Sequence, residues 1–82
     1  MPHAVEEIRE MLRRFIARED ITIDFAGAIG AALDSEFPED ERFEDLVLAL
    51  ASYQPGGGEF LYSYESILPL CTGALNQLEA MR

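Results

Sequence analysis

Few side chains in this chain are equipped for acid–base or nucleophilic chemistry. His3 is the single imidazole, and it falls in the first residues, where chains fray unless tied down. Cys71 is the single thiol, and its apolar surroundings read as those of a buried, inert sulfur. One cysteine also excludes an internal disulfide and a multi-thiolate zinc site within the monomer. The basic residues are six arginines, so no lysine offers a Schiff base. Neither Ser35 nor Cys71 has a histidine partner in sequence that would activate it. Two carboxylates doing acid–base work need a pocket that separates their pKa values, and a small domain has little room for one. The expectation is a protein that is not an enzyme, with no catalytic residue and no cofactor.

Carboxylates are the abundant group. Twelve of the sixteen acids lie between Glu19 and Glu65 against one base, Arg42, a formal charge of −11 over that stretch. Asp34, Glu36, Glu39, Asp40 and Glu41 offer oxygen ligands to a hard cation, but their spacing is not that of an EF-hand loop, which needs alternating acids followed by glycine. They read as a solvated acidic helix start, and no metal site is expected. Gly27 and Gly30 are not a phosphate loop, because no strand precedes them and the third glycine is missing. Folding so many like charges together costs stability through self-repulsion. A small protein that tolerates this is suited to a positively charged partner. Direct nucleic-acid binding is disfavoured, since phosphates need a basic patch, and anionic membranes are repelled for the same reason.

The elements that must position these acids follow from periodicity. Eighty-two residues make one domain, residues 1–82, and a chain this short buries roughly 60–65% of its unfolded surface. Val5, Ile8, Leu12, Phe15 and Ile16 recur at helical spacing and predict an amphipathic helix from His3 to Arg18. Glu6–Arg9, Glu10–Arg13 and Glu10–Arg14 would pair on its solvated face. Thr22 as N-cap and Asp24 in the first turn open a second helix. Its inward stripe is Phe25, Ile29, Ala32 and Leu33, and it is expected to end near Leu33. Gly27 and Gly30 lower its helicity but let a neighbouring helix approach.

Asp34 to Glu41 reads as a connection containing an Asp34-Ser35 turn. Pro38 fits the first turn of a third helix, with Glu39, Asp40 and Glu41 gathered at its positive start. Phe43, Leu46, Val47, Leu50 and Tyr53 form that helix's buried face, and Pro55-Gly56-Gly57-Gly58 ends it. Glu59 to Tyr64 alternates like a short extended piece, though a lone strand would lack a partner. Ile67, Leu68, Cys71, Ala74, Leu75, Leu78 and Met81 mark a fourth helix. Pro69 is tolerated in it if Ser66 is the N-cap, whereas a start near Ser63 would have Pro69 kink it. The fold class is all-α, a small antiparallel four-helix bundle. The N-terminus lacks a signal-peptide pattern and no apolar run approaches the ~20 residues that cross a bilayer. The expectation is a cytoplasmic protein, monomeric or weakly dimeric.

Two stretches carry a family resemblance. Phe15-Ile16-Ala17-Arg18-Glu19-Asp20-Ile21-Thr22-Ile23-Asp24-Phe25 resembles the junction of the first two helices in the colicin D-type immunity proteins. Phe43 to Pro55, closing in Tyr53-Gln54-Pro55, resembles that family's acidic-aliphatic third helix closed by aromatic-x-Pro. The resemblance implies a four-helix bundle that neutralises a bacteriocin or contact-delivered toxin, a nuclease or tRNase, by occluding its basic cleft with acids. The family sets acids just before the aromatic-x-Pro; Ala51, Ser52 and Gln54 stand there in this chain, so its acids must be presented elsewhere.

The candidate partner-binding residues are therefore Glu36, Glu39, Asp40, Glu41, Glu44 and Asp45 around the start of the third helix, with Glu59 and Glu65 beyond the glycines. Tyr62 and Tyr64 join them, either as partner contacts or as packing over the bundle end. The implied partner is the basic catalytic domain of a toxin. Two alternatives stand beside this reading. Asp34-Ser35-Glu36 is similar to the Asp-Ser-Leu of acyl carrier proteins, whose serine opens a long helix and carries phosphopantetheine. The other alternative is an antitoxin or regulatory protein for another basic surface.

Overall fold

In the computed structural model, residues 5–59 and 61–80 are described. They form α1 (Val5–Ile16), α2 (Ile23–Glu36), α3 (Glu41–Ala51) and α4 (Tyr64–Ala80). α1 packs on α2 and α4, and α3 packs on the same two, so the chain closes a ring of antiparallel neighbours, a four-helix bundle. The expected apolar stripes meet inside it. Ile8, Leu12 and Phe15 face Ile29, Leu33, Phe43, Leu46, Leu50, Ile67, Cys71 and Leu78, and no charged side chain is buried among the described residues. Phe25, Val47, Leu68 and Leu75 reach only partway in. The expected contributions of His3 and Met81 lie outside the described residues.

The helix ends depart from expectation for identifiable reasons. α1 stops at Ile16 because Arg18 turns to φ 66°. The Arg18 amide then donates to Phe15 O (3.1 Å) and the Glu19 amide to Arg14 O (2.9 Å), a Schellman closure built without glycine. The ion pairs expected along α1 do not form. Arg13 instead reaches Glu79 of α4 at 2.8 Å, and Arg14 lies 3.7 Å from Glu19.

α2 begins as expected. The Thr22 hydroxyl accepts the Phe25 amide at 3.1 Å, and the Asp20 carboxylate accepts both the hydroxyl (2.7 Å) and the amide (3.1 Å) of Thr22. It then runs past Leu33 to Glu36, closed by the Phe37 amide on Leu33 O at 2.8 Å. Asp34 and Ser35 are therefore helical and not a turn. The first breaker is Pro38, which disfavours helical backbone at Phe37. Pro38 itself stays outside α3. Asp40 is the N-cap and accepts the Arg42 amide at 2.9 Å, so the connection is only Phe37 to Asp40.

The extended piece after the glycines does find a partner. The Tyr62 amide donates to Ser52 O (2.9 Å) and the Gln54 amide to Tyr62 O (2.8 Å), a single parallel bridge between Tyr53 and Tyr62. Gly57, at φ 78°, supplies the left-handed residue that the turn after Pro55 requires. Ser63 caps α4, its hydroxyl accepting the Ser66 amide at 3.2 Å. The helix thus starts at Tyr64 and carries Pro69 inside it. Pro69 and Glu65, whose carbonyl loses its donor, are both exposed, which leaves water to serve that carbonyl. No helix among the described residues is long and apolar enough to cross a membrane.

Candidate functional site

The short α2–α3 connection folds most of the predicted acids onto one end of the bundle. Asp34, Glu39, Asp40 and Glu44 line a cleft of about 220 Å³ with Phe37, Phe43, Val47 and Leu48. Its floor is aromatic, with the rings of Phe37 and Phe43 centred 4.9 Å apart. Glu36 is half-buried at the end of α2, while Glu41 and Asp45 are exposed on α3 outside the cleft.

Charge at this end is almost uncompensated. Arg42 is committed to Asp40, with Nη2 2.6 Å from Oδ2 and Nε 3.0 Å from Oδ1. The guanidinium and the Arg42 amide hold the Asp40 carboxyl below its ordinary value, and the carboxylate pushes Arg42 up in turn. Among the described residues Asp34, Glu36, Glu39, Glu41, Glu44 and Asp45 have no ionic partner. The other described arginines stand on α1 or in the turn after it. Their pairs with Glu79, Glu19 and Glu65 are exposed contacts of small energy.

The remaining predicted residues are not brought to this end. Glu59, Tyr62, Tyr64 and Glu65 belong to the end where α3 finishes and α4 starts, opposite the α2–α3 connection. Of these, Glu59 is exposed in the loop, and Glu65 accepts a hydrogen bond from Arg18 at 3.3 Å. Tyr62 is 39% exposed and Tyr64 only 2%. Tyr64 is thus a packing residue and contributes no partner surface. Its hydroxyl lies against Phe15 O and Ile16 O, its ring centre is 5.4 Å from that of Phe15, and the Arg18 guanidinium covers it at 4.5 Å. Tyr53 is buried beside it, its hydroxyl donating to Ile21 O at 2.8 Å, and burial raises its pKa.

Ser35 is exposed in the last turn of α2. The serine of the carriers opens a helix, so the geometry behind that likeness is not present here. Cys71 is buried, and burial pushes its thiol up to about 12. Among the described residues no three His, Cys, Asp or Glu side chains gather as metal ligands.

The sequence reading missed a groove continuous with the acidic cleft. Gly27, Gly30, Ala31, Asp34, Val47, Leu50 and Ala51 line a further 350 Å³ between α2 and α3, and Leu48 stands 64% exposed beside it. The available signal was the repetition of Gly27, Ala31 and Asp34, and of Glu44, Leu48 and Ala51, at i, i+4 and i+7, which places each trio on one helix face. Gly30 does serve close approach, since a Cβ there would sit 3.6 Å from Leu50. Gly27 faces open space. Comparisons of the chain with family models, with curated proteins and with solved structures give no match.

Proposed function

We propose that this protein is an inhibitor of the immunity type, which neutralises a toxin by laying its acidic α2–α3 end over the basic catalytic cleft of that toxin. The observation that carries the reading is that Asp34, Glu36, Glu39, Glu41, Glu44 and Asp45 have no ionic partner among the described residues, the nearby Arg42 being held by Asp40. A positively charged cleft supplies the missing charge, and the acids take the place of substrate phosphates there. Complementary charge mainly raises the association rate and selectivity, which suits a protein that must capture a toxin before damage is done. The acids sit on helix ends and a four-residue connection, so little ordering cost opposes binding. The protein acts by occlusion in the cytoplasm, without turnover of its own. Further support comes from packing between the two stretches that resemble the colicin D-type immunity proteins: the rings of Phe15 and Tyr53 meet edge to face at 5.3 Å.

The test is protection. Cells expressing the basic C-terminal domain of a toxin encoded beside this gene should survive when the protein is co-expressed. The two should also form a one-to-one complex that weakens as salt rises. Undiminished killing in the presence of folded protein would sink the proposal.

A further inference from the structure

The groove between α2 and α3 has a direction. Gly27, Ala31 and Asp34 line it from α2 and Ala51 from α3, and through the shared Asp34 and Val47 it meets the acidic cleft, which Glu44 and Leu48 line from α3. The helices are antiparallel, so Asp34 and Glu44 share the end near the connection while Gly27 and Ala51 share the other. The groove is acidic at one end and apolar at the other, with Val47 and Leu50 between. Seven residues of helix rise about 10 Å, so the groove is about two turns long.

Its apolar part is uncovered, since Leu48 is exposed and a Cβ built on Gly27 meets no atom within 4 Å. A second copy of this chain is a poor occupant, because it would bring together two chains of formal charge −10 each, which repel. An extended segment is also poor, because both walls are helices whose backbone groups are bonded internally and offer no ladder. A helix satisfies its own backbone and can seat a ridge of side chains between two others.

We infer that this groove receives an amphipathic helix of the basic partner. Apolar residues of that helix at i, i+3 or i+4, and i+7 seat against Gly27, Ala31, Leu48 and Ala51. Its Lys or Arg residues lie toward Asp34, Glu39 and Glu44. The inference rests on the basic-partner reading above and adds the form in which the partner is recognised. Acids alone speed encounter, whereas apolar contact slows dissociation, where affinity differences among related complexes mostly lie.

The probe is an amidated peptide of about sixteen residues made of Leu, Ala, Lys and Arg with leucines at helical spacing. A scrambled peptide of identical composition is the control. Fluorescence anisotropy with the intact protein should give at least roughly tenfold tighter binding of the patterned peptide. Amide resonances of Gly27, Gly30, Ala31 and Leu48 should move on its addition. The preference should vanish in Gly27→Leu, which fills the groove without altering charge, and shrink in Leu48→Ser, both checked for helicity. Equal binding of the two peptides, shifts outside α2 and α3, or self-association of the free protein through this face would overturn the inference. Folded Gly27→Leu that protects cells as well as the unaltered protein would also overturn it while leaving the immunity reading intact. Failure of the unaltered protein to protect removes that reading alone, and the peptide result then decides the groove.

Discussion

The hydroxyl of Tyr64 stands 2.7 Å from the carbonyl oxygen of Ile16, the last residue of α1, and 2.8 Å from that of Phe15. Helix ends leave carbonyls without intrahelical donors. Phe15 O also takes the Arg18 amide at 3.1 Å, so Ile16 O depends more on the tyrosine. The start of α4 is thereby tied to the end of α1 across 48 positions of chain. Tyr53, two residues beyond the end of α3, likewise donates to Ile21 O in the α1–α2 connection. These two tyrosines secure the α1–α2 connection at the end opposite the acids.

Tyr64→Phe keeps the ring against Phe15 and Arg18 but leaves a shielded carbonyl without its donor. The expected loss is about 1–2 kcal/mol, or a fall in Tm of about 4–8 °C per kcal/mol for a domain of this size. Urea unfolding followed by circular dichroism measures it. Tyr62→Phe, on an exposed ring, should change stability by less than about 0.5 kcal/mol. Equal effects of the two changes would mean that the Tyr64 bond contributes nothing.

Cys71 has no exposed surface and a thiol pushed up to about 12, whereas the thiolate is the species that reacts. A disulfide reagent at mildly alkaline pH should label the native protein only as it unfolds, so labelling should accelerate with urea in step with global unfolding. Labelling at the rate of a free peptide thiol, without denaturant, would contradict the packing described for α4.

The helical stripes were legible because each is a repeat of large apolar residues, and Phe15, Ile29, Leu46 and Ile67 all fall where the period puts them. Thr22 is legible as the cap it proves to be, whereas Pro38 suits the first turn of a helix by residue type and yet stands before α3, whose N-cap is Asp40. α2 continues through Asp34-Ser35, which favours turns, and closes with the Phe37 amide on Leu33 O. Tyr64 was ambiguous from sequence, since its burial depends on carbonyls 48 and 49 positions away. The acidic half of the candidate site could be read directly, because it is local in the chain. The groove could not, because Gly27 and Leu48 are unremarkable until α2 and α3 are laid side by side.

Acid should act on two carboxylates in a defined direction. Thr22 lowers Asp20 through its hydroxyl and amide, and Arg42 lowers Asp40 through its guanidinium and amide. A carboxyl depressed in the folded state stabilises above its unfolded value, here 3.8, and that stabilisation disappears as pH falls through the lower folded value. Stability should therefore decline below about pH 4. Asp40→Asn, which keeps a good cap but not the ion pair, should flatten the decline seen in Tm against pH. An unchanged profile in this variant would assign the acid sensitivity to other groups. Salt at neutral pH should act in the opposite sense on folding and binding, because screening over about 10 Å at 0.1 M relieves the crowded acids yet weakens a basic partner's hold.

Arg18 at φ 66° and Glu39 at φ 59° are the two residues other than glycine with left-handed backbone among those described, each at a cost of about 1 kcal/mol relative to glycine. Arg18 recovers that cost. Its guanidinium lies 4.5 Å from the centre of the Tyr64 ring, a contact of about 0.5–1 kcal/mol, and it also reaches Glu65. Glu39 has no ionic partner among the described residues and faces the acidic cleft. Arg18→Gly should therefore be neutral within about 0.5 kcal/mol, while Glu39→Gly should stabilise by about 1 kcal/mol. Glu39→Gln removes the charge without relieving the backbone and isolates the two effects. If strain is kept here because the acid serves binding, both Glu39 variants should weaken the complex with a basic partner, and only the glycine should raise Tm substantially. Affinity unaltered in both would remove Glu39 from the binding face; equal Tm in both would remove the strain.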